Sequence, residues 1–116
     1  KTLMEKGVTV SNGSDCPVEL PDVLAGMQCA VTRRTLKDHI GPYLPKQQFT
    51  VQEALDSYTI AGAKASFEEE VKGRIMPGMA ADFVILGQNP FETEPEKLSR
   101  ISVEAAYVGG TQVYHA

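Results

Sequence analysis

The sequence of 116 residues has no tryptophan, only two cysteines and only two histidines. It also lacks an excess of basic residues, because 11 Lys and Arg stand against 15 Asp and Glu and give a formal net charge of -4. Nucleic acids and anionic lipids select basic patches, so the charge balance disfavours both as partners. Two cysteines are too few for a disulfide scaffold, and no apolar run approaches the roughly 18 residues of a membrane helix. We therefore expect a cytoplasmic protein with no nucleic-acid or membrane partner.

The scarcity of histidine and cysteine also excludes a self-contained transition-metal site. His39 and His115 are far apart in the sequence, and neither a His-x-His nor a Cys-x-x-Cys spacing occurs. Cys16 and Cys29 have no histidine at a spacing that would activate a thiolate, so packed cysteines are the simpler interpretation. The glycines form neither a dinucleotide-binding nor a P-loop motif.

The first half of the sequence carries helical patterns. A helix over residues 2–6 is predicted to close at Gly7, and residues 8–10 (VTV) predict a short strand. Asp22 is the expected N-cap of a helix of about three turns. Thr50 and Glu53 have the spacing of a capping box, and small and apolar side chains then recur at helical spacing. We expect one continuous helix from there to Ala65, followed by a solvated acidic end over residues 68–70.

A change of composition near residue 71 marks the boundary between the two halves, and the second half carries strand patterns. The predicted elements are short strands over residues 74–76 and 81–86, a short helix over 95–99, and a hairpin of 103–108 and 111–114 around Gly109 and Gly110. The order of elements therefore predicts an α/β part followed by an all-β part.

Asp15 is the leading candidate for chemistry. It follows the predicted strand of residues 8–10 and a cluster of turn formers, and parallel α/β barrels carry their catalytic groups after the carboxyl ends of strands. The alternative is an Asx-turn or an N-cap, because aspartate in such clusters commonly has only that local role. The residues alone leave both interpretations open.

Three successive segments resemble the metal-dependent amidohydrolase superfamily, in particular its imidase- and deformylase-like branch, amidohydrolase family 3. They are residues 13–19 (GSDCPVE), 21–27 (PDVLAGM) and 30–33 (AVTR). Later segments follow in the order of that family: 50–55 (TVQEAL), 58–59 (YT), 65–66 (AS), 73–75 (GRI), 77–78 (PG), 81–86 (ADFVIL), 89–91 (NPF) and 108–110 (VGG). Each segment is weakly specific, but their ordered combination is specific and spans nearly the whole chain.

The resemblance implies an α/β fold class, the C-terminal segment of a (β/α)8 TIM barrel. Residues 8–10 would be the eighth barrel strand, and residues 1–70 would comprise that strand and the final helices. Residues 71–116 would be the C-terminal part of a small β-sandwich domain. The chain would thus need the remainder of the barrel, and an unpaired barrel strand is compatible with a homodimer.

The resemblance also implies a function. It is hydrolysis of the non-peptide C–N bond of a small amide, imide or formamide, with one or two divalent metals as cofactors, zinc in our prediction. Asp15 would lie at the metal and act as the general base toward metal-bound water. Ser14, Cys16 and Glu19, in the loop after the strand, are the expected substrate contacts. The remaining ligands would come from earlier barrel strands, so we expect the 116 residues alone to be inactive.

Two alternatives belong to other classes of function. The first is a non-catalytic interaction or regulatory module that retains this architecture without the metal-binding half. The second is a cysteine-dependent enzyme that uses Cys16.

Overall fold

The computed structural model describes residues 1–116, with the helices before the strands. The helices are α1 (Thr2–Glu5), α2 (Val23–Thr32), α3 (Val51–Tyr58) and α4 (Ile60–Ala65), and two 3-10 helices span Pro45–Gln47 and Pro95–Arg100. The strands are β1 (Phe83–Leu86), β2 (Val103–Val108) and β3 (Thr111–His115). The chain thus combines helices with one small sheet, and none of its helices has the length and apolar character needed to cross a bilayer.

Helix α2 begins and ends as its sequence predicts. The Asp22 carboxylate accepts a hydrogen bond from the backbone N–H of Ala25 at 3.0 Å, which satisfies one of the unpaired amides of the first turn. Arg33 then adopts a left-handed conformation with φ 55° and closes the helix, donating its backbone N–H to the carbonyl of Cys29. The helix therefore lasts just under three turns.

The helix that starts at Thr50 is shorter than expected. The capping box is present, with the Thr50 hydroxyl accepting from the N–H of Glu53 and the Glu53 carboxylate accepting from the N–H of Thr50. However, Thr59 leaves helical geometry, with φ -123° and ψ -96°, and separates α3 from α4. The Thr59 hydroxyl donates to the carbonyl of Leu55, a local side-chain bond that competes with regular helix. The prediction of one continuous helix over residues 51–65 was wrong.

The sheet is antiparallel, in the order β1-β2-β3. The predicted hairpin is confirmed, and Gly109 and Gly110 both have positive φ at its turn. The cross-strand pair Phe83 and Tyr107 stacks with ring centroids 4.6 Å apart. The turn is also tied to the start of β1, because the N–H of Gly109 donates to the Asp82 carboxylate at 2.7 Å.

Two predicted strands are absent. Residues 8–10 and residues 74–76 join no sheet, because no other segment of the chain offers them a backbone ladder. For residues 8–10 the physical reason is that a strand needs hydrogen-bonded neighbours, and no strand of the sheet pairs with this segment. The local β propensity of Val8 and Val10 does not replace those partners.

The core lies between α2, α3, α4 and the 3-10 helix Pro95–Arg100. Met27 on α2 and Leu98 on the 3-10 helix are both almost fully buried. A buried side chain adds a polar tie between these two elements, since the Gln28 Oε1 accepts a hydrogen bond from the N–H of Ser99 at 2.9 Å. We refer to α2, α3, α4 and this 3-10 helix as the helical layer.

Candidate functional site

The predicted site residues all lie in residues 11–20, which we call the site loop. Two backbone hydrogen bonds fold it back on itself: the N–H of Val18 donates to the carbonyl of Asp15 at 2.9 Å, and the N–H of Glu19 donates to the carbonyl of Ser14 at 3.2 Å. Asp15 occupies the left-handed region with φ 52°, which aspartate tolerates better than most residues. The sequence cluster therefore forms the turn that its residue types predict.

Asp15 is exposed, and its carboxylate accepts no hydrogen bond within the chain. Two other residues of the chain make the hydrogen bonds that define an N-cap and an Asx-turn. Asp22 caps a helix, and the Asn89 side chain accepts from the N–H of Phe91 two residues on. Asp15 has neither contact, so the Asx-turn and N-cap interpretations do not apply to it. Its carboxylate is available to groups outside the chain.

The other three predicted residues differ in their surroundings. Cys16 and Glu19 are exposed, whereas Ser14 is half-buried. The prediction of a packed cysteine was therefore wrong for Cys16, because the turn leaves its side chain in solvent. Ser14 lines a cavity of about 210 Å³, together with Gly13, Pro21, Asp22, Val23 and Tyr58. The cavity lies between the site loop, the beginning of α2 and the end of α3. The structure thus brings Ser14 to a cavity but does not place Asp15, Cys16 or Glu19 in its lining.

Tyr58 is a cavity residue that the sequence predicted only as part of an apolar helical face. Its ring packs against Gly26, where an added Cβ would overlap the Tyr58 hydroxyl and lie 2.9 Å from Cζ. Burial, and the nearby Cys29 thiol, raise the pKa of Tyr58 above its usual value. The hydroxyl is therefore a neutral hydrogen-bonding group at neutral pH. The glycine at position 26 is the one signal that could have revealed this close helix packing.

Cys29 is the neighbour of Tyr58 on α2. Burial raises the pKa of its thiol, and the negative charge of Glu19 adds to the shift. A raised pKa makes the thiolate scarcer and the group less reactive. Cys29 is thus a packed thiol, as the sequence predicted, with the Glu19 carboxylate close enough to raise its pKa further.

The start of the site loop is fixed to α3 by Asn12 and Ser57. The backbone N–H of Asn12 donates to the carbonyl of Ser57 at 3.0 Å, and its side-chain Nδ2 donates to the Ser57 Oγ, also at 3.0 Å. Ser57 is fully buried and donates its own hydroxyl to the carbonyl of Ala54 at 2.6 Å. No sequence pattern reveals this contact, because 45 positions separate the two residues.

A metal ion needs several ligands in one place. No three residues of His, Cys, Asp or Glu type come together anywhere in the chain, and Asp15 is a single exposed carboxylate. The residues of this chain therefore do not fit a metal site by themselves.

Known proteins match the chain along nearly its whole length. The model of the family described as "Amidohydrolase family" (Amidohydro_3) matches residues 1–114. The amidohydrolase-family protein YtcJ of Bacillus subtilis is 36% identical over 115 residues, which are 98% of this chain and 22% of that protein. The N-substituted formamide deformylase of Arthrobacter pascens is 32% identical over 114 residues, 98% of this chain and 21% of the relative.

A solved structure has the same fold. The crystal structure of an amidohydrolase from Thermotoga maritima matches 99% of this chain with a TM-score of 0.73 and 23% sequence identity, over 25% of its own length. The chain thus spans about a fifth of the length of the curated relatives it matches.

Proposed function

The chain belongs to amidohydrolase family 3, and we propose that the protein containing it is a metal-dependent hydrolase of non-peptide C–N bonds with Asp15 as its general base. The observation that carries this proposal is the state of Asp15. Its carboxylate stands exposed on a turn, accepts no hydrogen bond within the chain, and lies in a loop held at both ends by the helical layer. A carboxylate with that freedom is suited to accept a proton.

The substrate class that we propose is a small amide, imide or N-substituted formamide. The name of the Arthrobacter relative specifies N-substituted formamides for that protein, and this chain shares 32% of its residues with it. The Ser14 hydroxyl, at the cavity, can hydrogen-bond a carbonyl or an N–H group of such a substrate. Cys16 and Glu19 are the proposed further contacts, from the exposed side of the same loop.

In the proposed reaction, Asp15 accepts a proton from the attacking water. The water oxygen bonds to the carbonyl carbon, the C–N bond breaks, and the proton passes from Asp15 to the leaving nitrogen, which departs as a neutral amine. A divalent metal such as zinc, held beside Asp15 mainly by residues outside positions 1–116, would supply Lewis-acid polarisation of the carbonyl group. We propose accordingly that the 116 residues alone are inactive.

We also propose how the chain fits into the longer protein. Residues 1–70 would be the end of a (β/α)8 barrel, and residues 71–116 would be part of a β-sandwich. Large exposed apolar side chains outside the site loop support further chain packed against residues 1–116, because Tyr43, Phe67 and Ile75 are each more than two-thirds exposed. A homodimer is a second way of covering them.

The test is to replace Asp15 in the full-length protein. A suitable probe is N-(4-nitrophenyl)formamide, whose hydrolysis releases the coloured 4-nitroaniline. Asp15→Asn is expected to lower kcat by about 10²- to 10⁴-fold with the bound metal retained, because it removes the proton acceptor and keeps the shape. Asp38→Asn is the matched control, because Asp38 is also an exposed aspartate in a turn but lies outside the site loop and the cavity lining, so the rate should be retained.

Other outcomes would point to the alternatives. Full activity of Asp15→Asn would contradict its role as the base. Loss of activity in Cys16→Ser, with Asp15→Asn active, would favour the cysteine-dependent enzyme. A full-length protein that binds no metal and hydrolyses no formamide, acetamide or cyclic imide would favour the non-catalytic module.

A further inference from the structure

We infer that Asn12 and Ser57 are positioning residues: their side-chain hydrogen bond sets where the Asp15 carboxylate stands. The inference rests on the proposed function of Asp15, because it concerns how the same loop is held. Neither residue is needed to touch the substrate. Their effect on the reaction passes through Asp15 alone.

Ser57 occupies a rigid position on α3. Ser57 is 0% exposed, and its hydroxyl both donates to the carbonyl of Ala54 and accepts from Asn12. Ala54, one turn earlier, is also fully buried. The N-terminus of α3 is fixed in turn by the capping box of Thr50 and Glu53. Asn12 is therefore bonded to one of the most constrained points of the chain.

Asn12 and Asp15 are close together along the site loop. Asp15 is three residues from Asn12, so at most about 10 Å of chain separates their Cα atoms. Gly13, between them, has open space where a side chain would be, and thus no packing of its own holds the chain there. The backbone and side-chain hydrogen bonds from Asn12 to Ser57 are therefore the nearest bonds that join the chain before Asp15 to α3.

Helix α3 contacts both the site loop and the cavity. Ser57 and Tyr58 are consecutive on α3: Ser57 bonds the loop at Asn12, while Tyr58 lines the cavity with Ser14. The same helical turn therefore holds the base-bearing loop and forms one wall of the cavity beside it. A shift of the loop against α3 would change the distance between the cavity and Asp15. Misplacement of about 1 Å can cost 10²-fold in rate.

The test compares Asn12→Ala with Gln48→Ala in the full-length protein, using N-(4-nitrophenyl)formamide. Gln48 is a matched control because its side-chain amide also donates one long-range hydrogen bond, to the carbonyl of Thr32 at 3.1 Å, but outside the site loop. Asn12→Ala is expected to lower kcat by about 10- to 100-fold and to change KM by less than about threefold. Gln48→Ala is expected to leave kcat and KM within about twofold of the wild type. Its change in melting temperature is expected to be similar to that of Asn12→Ala.

Combining Asn12→Ala with Asp15→Asn distinguishes a positioning role of Asn12 from a purely structural one. If Asn12 acts through Asp15, adding Asn12→Ala to Asp15→Asn lowers kcat no further. The inference would be overturned if Asn12→Ala lowered kcat in the Asp15→Asn protein by the same factor as in the wild type. Ser57→Ala, which removes one hydroxyl from a helix, provides a second variant: it should reproduce the kcat loss of Asn12→Ala, and normal kcat in a folded Ser57→Ala protein would also overturn it.

Failure of the proposed function gives a different result. In that case Asp15→Asn itself retains full activity, whatever the Asn12 variant does. If Asp15→Asn is impaired and Asn12→Ala is as active as the wild type, only the positioning inference is wrong.

Discussion

The helical layer and the site loop are held in place by different interactions. The helical layer contains most of the buried residues, and its helices are capped by Asp22, Thr50 and Arg33. The site loop buries no residue completely and belongs to no helix or strand. The chain therefore separates stability from chemistry: packing fixes the helices, and a few hydrogen bonds fix the loop to them.

The strongest way to test this contrast is to shorten one leucine in each region. Leu98 is 0% exposed, whereas Leu20 is 81% exposed. Leu98→Ala should lower the free energy of unfolding by about 2–5 kcal/mol, because it leaves a cavity in the core. Leu20→Ala should change it by less than about 0.5 kcal/mol. Urea denaturation measures both changes in the free energy of unfolding. Equal changes would show that the site loop contributes as much to stability as the helical layer.

A matched pair of glycines sharpens the comparison. An added Cβ at Gly26 would overlap Tyr58, while at Gly13 it would meet nothing within 4 Å. Gly26→Ala is expected to be destabilising by about 1–3 kcal/mol, since the overlap outweighs the gain in helix propensity. Gly13→Ala should be neutral or stabilising by less than about 1 kcal/mol. Thermal unfolding of the two variants gives the comparison, and an equally stable Gly26→Ala protein would show that the Tyr58 side chain moves away at little cost.

Hydroxyl groups give a smaller contrast. The Thr50 hydroxyl caps α3 through the N–H of Glu53, whereas the Ser14 hydroxyl makes no hydrogen bond within the chain. Thr50→Ala should lower the free energy of unfolding by about 1 kcal/mol. Ser14→Ala should have less than half that effect, even where it slows the proposed reaction. Chemical denaturation tests this, and a larger effect at Ser14 would show that the loop contributes to stability.

The smallest expected effect is the pH dependence of the capping box. The hydrogen bond from Lys1, followed by that from the N–H of Thr50, lowers the pKa of the Glu53 carboxyl below its ordinary value of 4.5. Because the folded-state pKa is lowered, the stabilisation is fully present above the unfolded value and is lost as the pH falls through the folded one. The difference in urea midpoint between wild type and Glu53→Gln should thus shrink between neutral pH and about pH 3. A constant difference would show that the carboxylate charge does not contribute.

Local signals in the sequence predicted the parts of the fold that depend on neighbouring residues. The capping box of Thr50 and Glu53, the cap at Asp22 and the hairpin turn at Gly109 involve residues a few positions apart, and all three are present. The break at Thr59 escaped prediction because the apolar pattern runs through it unchanged. The absent strand of residues 8–10 shows the opposite case, since a strand needs partners that propensity cannot supply.

The candidate site divides in the same way. The turn around Asp15 follows from its residue types, and the structure confirms the turn. The contact of Asn12 with Ser57 and the cavity wall at Tyr58 depend on how α3 packs beside the loop. Only the three-dimensional arrangement of the helices brings those residues together.

The two attachment points of the site loop have a consequence for how such proteins diversify. Asn12 joins the loop to α3, and Asp22 ends it as the cap of α2, so both ends of the intervening stretch have fixed positions. Substitutions at exposed positions between them, such as Cys16, Val18 and Glu19, disturb no buried contact of the helices. These exposed positions can therefore change, and substrate preference with them, while Asp15 and the supporting helices keep their sequence.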